Sequence, residues 1–256
     1  MKSSRRKFIS MAGLAALGWS VCPSLVSAAT EAGPKLYFKG EEQLEASQWA
    51  MAVDTKKLTR PVMNKCIEAC HSLHNVPDID SDQNVKWIWI EPFRNLFYDQ
   101  SHANLTDMAN KPFLTLCNHC ENPPCVRVCP TRATFRRPDG IVLMDFHRCI
   151  GCRFCMAGCP YGSRSFNFSD PKRHLDLARL DPEYPTRTKG VVEKCEFCAH
   201  RLDKGQMPAC VEVSEGALLF GDLNDSSSDV RKALRERYSL VRKPKLGTGP
   251  NVYYLI

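Results

Sequence analysis

Apolar and polar positions along the chain fall into a few regular stretches. Residues 11–21 form an apolar run behind a basic start, and the small residues Val26-Ser27-Ala28-Ala29 follow it. Lys86-Trp87-Ile88-Trp89-Ile90 and Gly140-Ile141-Val142-Leu143-Met144-Asp145 are bulky runs of strand length and predict two short strands. Trp87 and Trp89, set among isoleucines, fit core positions better than cofactor contacts. Residues 229–238 carry a helical period and predict a short amphipathic helix. Residues 91–112 and 169–190 are rich in Pro, Asn, Asp and Arg without periodicity, as surface insertions are. The ending, from Lys243-Pro244-Lys245-Leu246 to Tyr253-Tyr254-Leu255-Ile256, is apolar and aromatic. It fits either an arm laid on a partner subunit or a closing strand of its own domain. The remaining helices are expected to be short and to begin within runs of cysteine.

Before the first apolar run stands Ser4-Arg5-Arg6-Lys7-Phe8-Ile9. A charged start, an apolar middle and a small-residue exit after Ala28 predict a secretory signal over residues 1–28. The paired arginines resemble the twin-arginine export signal, an address read by a receptor that passes folded proteins. On this reading residues 29–256 work in the periplasm. A short helix or an uncleaved anchor is the competing reading. Beyond this leader no apolar run approaches the ~18 residues that a membrane span needs.

The composition, 43% hydrophobic and 25% charged over 256 residues, is that of a globular protein of one domain or two small ones. The net charge of +7 shrinks once the leader is set aside, because four of the 35 basic residues lie there, leaving 31 against 28 acidic. No basic stripe with interleaved aromatics appears, which argues against a nucleic-acid partner. Fourteen cysteines are the anomaly.

Eight of them form two runs. Cys117-x2-Cys120-x4-Cys125-x3-Cys129-Pro130 is followed by Cys149-x2-Cys152-x2-Cys155-x3-Cys159-Pro160. The second is the bacterial ferredoxin pattern, and the first is that pattern with two residues inserted. Three thiolates in a tight loop reach three corners of a four-iron cubane, and the fourth corner takes the last cysteine of the other run. Cys117, Cys120, Cys125 and Cys159 are therefore expected to hold one 4Fe–4S cluster. Cys149, Cys152, Cys155 and Cys129 are expected to hold a second. Structural zinc prefers separated cysteine pairs. Disulfide frameworks belong mostly to shorter chains, and attached haem needs C-x-x-C-H, which is absent.

Cys66, Cys70, Cys195, Cys198 and Cys210 repeat the module. Pro208-Ala209-Cys210-Val211-Glu212-Val213-Ser214 aligns with Pro123-Pro124-Cys125-Val126-Arg127-Val128-Cys129, Cys66-x3-Cys70 with Cys155-x3-Cys159, and Val53-Asp54 with Met144-Asp145. The predicted fold is α+β: a duplicated two-cluster ferredoxin with one half inserted in the other. The outer half covers about 48–75 plus 190–222, the inner about 112–168, and 223–256 adds a C-terminal helix and tail. Interlocking gives Cys195, Cys198 and Cys210 the partner Cys70, a third cluster. The fourth is defective. Counting back from Cys66 puts Arg60 and Met63 in the first two ligand places, Ser214 takes the last, and Glu215 replaces the usual proline. Cys66 is left as a spare thiol, with a residual metal on Ser214, His71 or His74 as the alternative. His119 and His147 beside the clusters are expected to be structural or to tune them by hydrogen bonds, and Arg148 and Arg153 to raise cluster potentials.

With these motifs the chain resembles the ferredoxin-like electron-transfer subunits of quinone-linked membrane oxidoreductases, over residues 48–222. The stretches Phe113-Leu114-Thr115-Leu116-Cys117-Asn118-His119-Cys120, Phe146-His147-Arg148-Cys149, Gly190-Val191-Val192-Glu193-Lys194-Cys195 and Leu246-Gly247-Thr248-Gly249-Pro250-Asn251 are most similar to one branch. That branch is the periplasmic iron–sulfur subunit of the membrane complex associated with dissimilatory sulfite reductase. The resemblance implies two partners, an integral membrane quinone-interacting subunit and a multihaem cytochrome c, and no small-molecule substrate site. Relatives of this class usually carry four clusters, so three is a departure. The alternative is the electron subunit of an exported molybdopterin reductase of tetrathionate or polysulfide type. An enzyme with its own active site would need a dinucleotide loop or a separate radical loop, and neither is present.

Overall fold

The computed structural model describes residues 42–100 and 106–256. The leader read over residues 1–28 lies outside the described residues. The main sheet is built on β1 (Trp49–Asp54), every residue of which is buried. Its alternation splits two faces: Trp49, Met51 and Val53 enter the larger core, and Ala50 and Ala52 enter a smaller one. The small alanines let a helix lie close above them, the predicted amphipathic one at Asp229–Glu236. Val230 of that helix is fully buried against them, and the Ser228 hydroxyl caps its first turn by accepting from Arg231 N at 3.2 Å.

Leu218–Asp222 (β8) pairs antiparallel with β1, with Val53 opposite Leu218. On the other edge Val252–Leu255 (β10) runs parallel to β1, and Ser239–Leu240 (β9) closes the sheet. The chain's ending is thus a closing strand of its own domain. Among the described residues, three two-stranded sheets stand beside it: Ile88–Pro92 (β2) with Pro112–Leu116 (β3), Thr134–Arg136 (β4) with Val142–Met144 (β5), and Ser165–Phe166 (β6) with Val192–Glu193 (β7).

The β4–β5 and β8–β1 pairs share details beyond strand count. Asp145 N donates to Ala133 O at 2.7 Å and Asp54 N to Ala217 O at 2.8 Å. Each aspartate then closes a turn through its carboxylate. Asp145 Oδ1 accepts from His147 and Arg148 N, and Asp54 Oδ1 from Lys56 and Lys57 N.

One expectation needs correction. Most helices near cysteines are four residues long, such as Pro124–Arg127, Phe154–Ala157, Ala199–Leu202 and Ala209–Glu212. Arg60–Leu73 (α1), however, runs for 14 residues and starts well before Cys66. Pro61 in its first turn suits the start, since no intrahelical N–H bond is needed there. The 91–112 segment is also less exposed than composition suggests, because Phe93, Leu96 and Phe97 are buried against Phe113.

A buried ion pair ties these pieces. Arg187 Nη2 lies 2.6 Å from Glu193 Oε2, both side chains wholly buried, and Trp87 Nε1 donates to the same carboxylate at 2.7 Å. The guanidinium also donates to the carbonyls of His74 and Asn75. Removing one partner of such a pair leaves a buried charge uncompensated. Arg187→Met is therefore expected to cost about 3–5 kcal/mol, and the double change Arg187→Met with Glu193→Leu to recover part of it. Melting scans of the cluster-loaded protein at one scan rate check this. A single variant that melts with the wild type contradicts it.

Candidate iron–sulfur centres

Folding gathers most of the predicted cysteines into three groups. Cys117, Cys120, Cys125 and Cys159 line one cavity, together with Pro123, Tyr161 and Arg164. Burial, and then the charges of Cys117, Cys125 and Cys159, push the Cys120 thiol up to about 12. In the second set, burial raises the Cys155 thiol, Arg164 opposes this, and Cys149 and Cys129 lie close enough to raise it further. Cys152 sits at the exposed tip of that loop. Cys70 is far in sequence from the late run, yet its thiol is driven up first by burial and then by Cys195, Cys198 and Cys210. All thirteen cysteines among the described residues are free thiols.

Local backbone shape explains the convergence. His119, Gly151, Arg153, Phe197 and Cys198 all adopt positive φ, which turns the chain sharply between successive thiols. For non-glycine residues this costs on the order of 1 kcal/mol each. Gly151 has no alternative: a Cβ there would stand 2.3 Å from the Gly190 carbonyl oxygen. The C-terminal segment braces the first loop. Glu121 N donates to Gly249 O and Asn122 N to Thr248 O, at 2.8 and 2.9 Å. Asn251 Nδ2 donates to His119 O at 2.6 Å. At Cys129, burial raises the thiol, and backbone N–H groups of Thr134, Thr131 and Ala133 with the Thr131 hydroxyl outweigh it, leaving it below the usual cysteine range.

The positions counted for a fourth ligand set are engaged with protein. Helix α1 runs through both counted ligand positions, with Arg60 exposed and Met63 buried at 2% exposure. Ser214 is buried with its hydroxyl committed to the backbone: it donates to Val211 O at 2.7 Å and accepts from Leu218 N at 3.1 Å. Glu215 turns outward to Lys65 at 2.7 Å. Cys66 is buried in the core, its Sγ donates to Cys210 O at 3.3 Å, and burial pushes its thiol up to about 11. His74 sits instead beside Cys70, with Nδ1 held at 2.7 Å from Cys70 O and the ring against Trp87.

Sequence reasoning missed the two cations that matter most. Arg148 is exposed and paired with Asp145, and Arg153 lies over the rings of Phe166 and Phe168. Arg164 and Lys194 are buried among the thiols. Their only sequence signal was a basic residue close to a cysteine. His119 is buried, stacked 3.7 Å from Phe197, and its Nδ1 accepts from Val142 N; burial holds it neutral. His147 is on the surface.

The donor sets fit iron–sulfur clusters on two counts. Buried thiols pressed together are driven toward their neutral form, and a bound metal centre is what deprotonates them. Arg164 Nη2 is buried without a hydrogen-bond partner in the structure, at a cavity where an anionic centre would supply one. Among the described residues, no three His, Cys, Asp or Glu side chains converge closely enough to hold a single ion.

Comparisons with known proteins agree. Residues 109–173 match the 4Fe-4S dicluster domain family. The chain is 41% identical to the Hdr-like menaquinol oxidoreductase iron-sulfur subunit 1 of Archaeoglobus fulgidus, over 98% of this chain and 97% of that protein. It is 33% identical to a tetrathionate reductase subunit of Salmonella typhimurium, over 100% and 89%. It is 34% identical to the menaquinone reductase iron-sulfur cluster-binding subunit of Nitratidesulfovibrio vulgaris, over 81% and 88%. Similarity of this extent, carried on thiol sets built for cubanes, means that the chain binds 4Fe–4S clusters and belongs to the family of iron–sulfur subunits of oxidoreductase complexes.

Proposed function

We propose that this chain is an exported electron-transfer subunit with three 4Fe–4S clusters and no substrate site of its own. It would serve a quinone-linked membrane complex of sulfur metabolism. The first cluster takes Cys117, Cys120, Cys125 and Cys159, the second Cys149, Cys152, Cys155 and Cys129, and the third Cys195, Cys198, Cys210 and Cys70. The duplicated ferredoxin reading, with 112–168 inserted between 48–75 and 190–222, draws support from the matched turns at Asp54 and Asp145. The observation that carries the proposal is Cys70 lying among Cys195, Cys198 and Cys210 while Ser214 and α1 occupy the remaining place.

When bound, such clusters exchange single electrons without an open coordination site. The chain arranges the sets in a row: Cys117 acts on Cys195, so the first and third adjoin, and Arg164 acts on both Cys125 and Cys155, so the first and second adjoin. The ends differ. Cys152 is exposed, flanked by Ile150 at 67% and Phe154 at 59% exposure, whereas all four thiols of the third set are buried. An apolar rim around the exposed loop suits a docking partner.

The two relatives from a menaquinol oxidoreductase and a menaquinone reductase favour a quinone-interacting integral membrane subunit as one partner. The branch resemblance adds a multihaem cytochrome c, and the Arg5-Arg6 leader adds the periplasm. The full-length similarity to the tetrathionate reductase subunit favours a second reading, the electron subunit of an exported molybdopterin reductase. Co-purification decides between them: a haem-bearing partner supports the first, and a molybdenum-bearing one the second.

Two variants test the ligand sets. Cys70→Ala should release about four iron atoms, or about one if a three-iron form persists. Cys66→Ala should leave iron content and visible spectrum nearly unchanged. Both residues lie on α1, so a general helix defect would affect them alike. Iron loss from Cys66→Ala with Cys70→Ala intact overturns the ligand register. For export, Arg5→Lys with Arg6→Lys should strand cluster-loaded precursor in the cytoplasm, and undiminished periplasmic accumulation would contradict that route.

A further inference from the structure

Between the thiol sets lie two buried cations that make no ion pair among the described residues, although the Lys194 charge also acts on the nearby Glu196 carboxylate. Arg164 is 5% exposed and Lys194 fully buried, and among the described residues neither makes an ion pair. Arg187, just as buried, has Glu193 at 2.6 Å. A lone buried cation is strongly disfavoured unless something anionic stands nearby. Arg164 donates to Thr134 Oγ1 at 3.0 Å, lines the cavity of the first set, and stands near enough for its charge to act on the Cys125 and Cys155 thiols, one from each of two sets. Lys194 Nζ donates to the carbonyls of Val142 and Cys195, and its charge reaches Cys125 and Cys195, again one from each of two sets. Arg242 is buried too, but it lies over the Tyr161 ring and bonds Tyr161 O, away from any junction between sets.

We propose that Arg164 and Lys194 are the shared counter-cations of the cluster row, Arg164 serving the first and second clusters and Lys194 the first and third, each raising the reduction potentials of both its neighbours. This rests on the three-cluster reading above. The physics is Coulombic. Reduction adds one negative charge to a cluster, and a fixed cation beside it in a low-dielectric interior stabilises the reduced form. Neither backbone carbonyls nor hydroxyls can neutralise these side chains, and Glu196, which accepts from the Tyr184 hydroxyl and Met144 N, forms no ion pair with Lys194, so their charge is available to the clusters. The first cluster, flanked by both cations, receives two such contributions, and the outer two receive one each. Arg148 and Arg153, which stand in solvent, contribute far less because water and salt screen them.

The test is a redox titration of the cluster-loaded protein followed by paramagnetic resonance, with iron and sulfide assayed first on every variant. Arg164→Gln should lower two of three midpoint potentials and leave one in place. Lys194→Gln should likewise lower two, and a single midpoint should move in both variants. That crossed pattern is read without assigning signals to particular clusters. Arg164→Lys and Lys194→Arg, which keep the charge, should restore the wild-type potentials. Unshifted midpoints, a uniform shift of all three, or an equal shift in the charge-keeping variants overturns the proposal. If Arg164→Gln fails to hold its iron, Lys194→Gln decides alone. If both fail, Arg164→Lys and Lys194→Arg must retain full iron, and their losing it overturns the proposal too. A wild-type iron content inconsistent with three clusters would instead bring down the reading on which this rests.

Discussion

On the three-cluster assignment proposed above, each thiol set is closed by a cysteine from elsewhere in the chain, and the rest of the structure depends on that crossing. Cys159 stands with the set begun at Cys117, Cys129 with the set begun at Cys149, and Cys70 with the set begun at Cys195. A chain pinned this way needs little regular structure between the pins. The sheets are accordingly small, most helices near the cysteines are single turns, and the left-handed residues at the loops are tolerated. The four-stranded sheet does a different job. It carries β1 into α1 and therefore into Cys70, and its last strand grows from the segment that braces the Cys117 loop.

Electrostatics follows from the same arrangement. Packing Cys70, Cys120, Cys195 and Cys210 among other thiols out of water makes each of these reluctant to ionise alone, so for them metal loading and deprotonation are one event. The surrounding polar groups accommodate the product. His119 is kept neutral, Arg164 and Lys194 make no ion pair among the described residues, and the fully buried pair of Arg187 with Glu193 stands apart among Trp87, Asn167 and the His74 carbonyl.

Much of this was legible from spacing alone, because three thiols within one tight loop leave few alternatives and because the repeat exposes which partner is missing. The outer half could be aligned on a few residues, and Asp54 against Asp145 is the clearest case: both aspartates close the same turn. What spacing could not show was what replaces an absent ligand. A serine in a cysteine's place reads as a weak donor, whereas the fold spends that hydroxyl on Val211 and Leu218 backbone groups. Helix α1 is longer than its cysteines imply, because without a cluster at its start nothing prevents the residues from Arg60 onward from coiling. Arg164 and Lys194 were passed over for Arg148 and Arg153, since proximity in sequence to a ligand says nothing about burial. The apolar tail was ambiguous for a similar reason. A closing strand and an arm on a partner have the same composition, and only its pairing with β1 separates them.

The claim beneath all of this is that twelve cysteines close three cubanes and the fourth place is packed with protein. Iron and acid-labile sulfide per chain, measured on anaerobically purified protein, test it most directly. The account predicts about twelve of each. About sixteen would mean that the place now occupied by α1 and Ser214 still holds a cluster, and about eight would mean that Cys70 does not complete the third set.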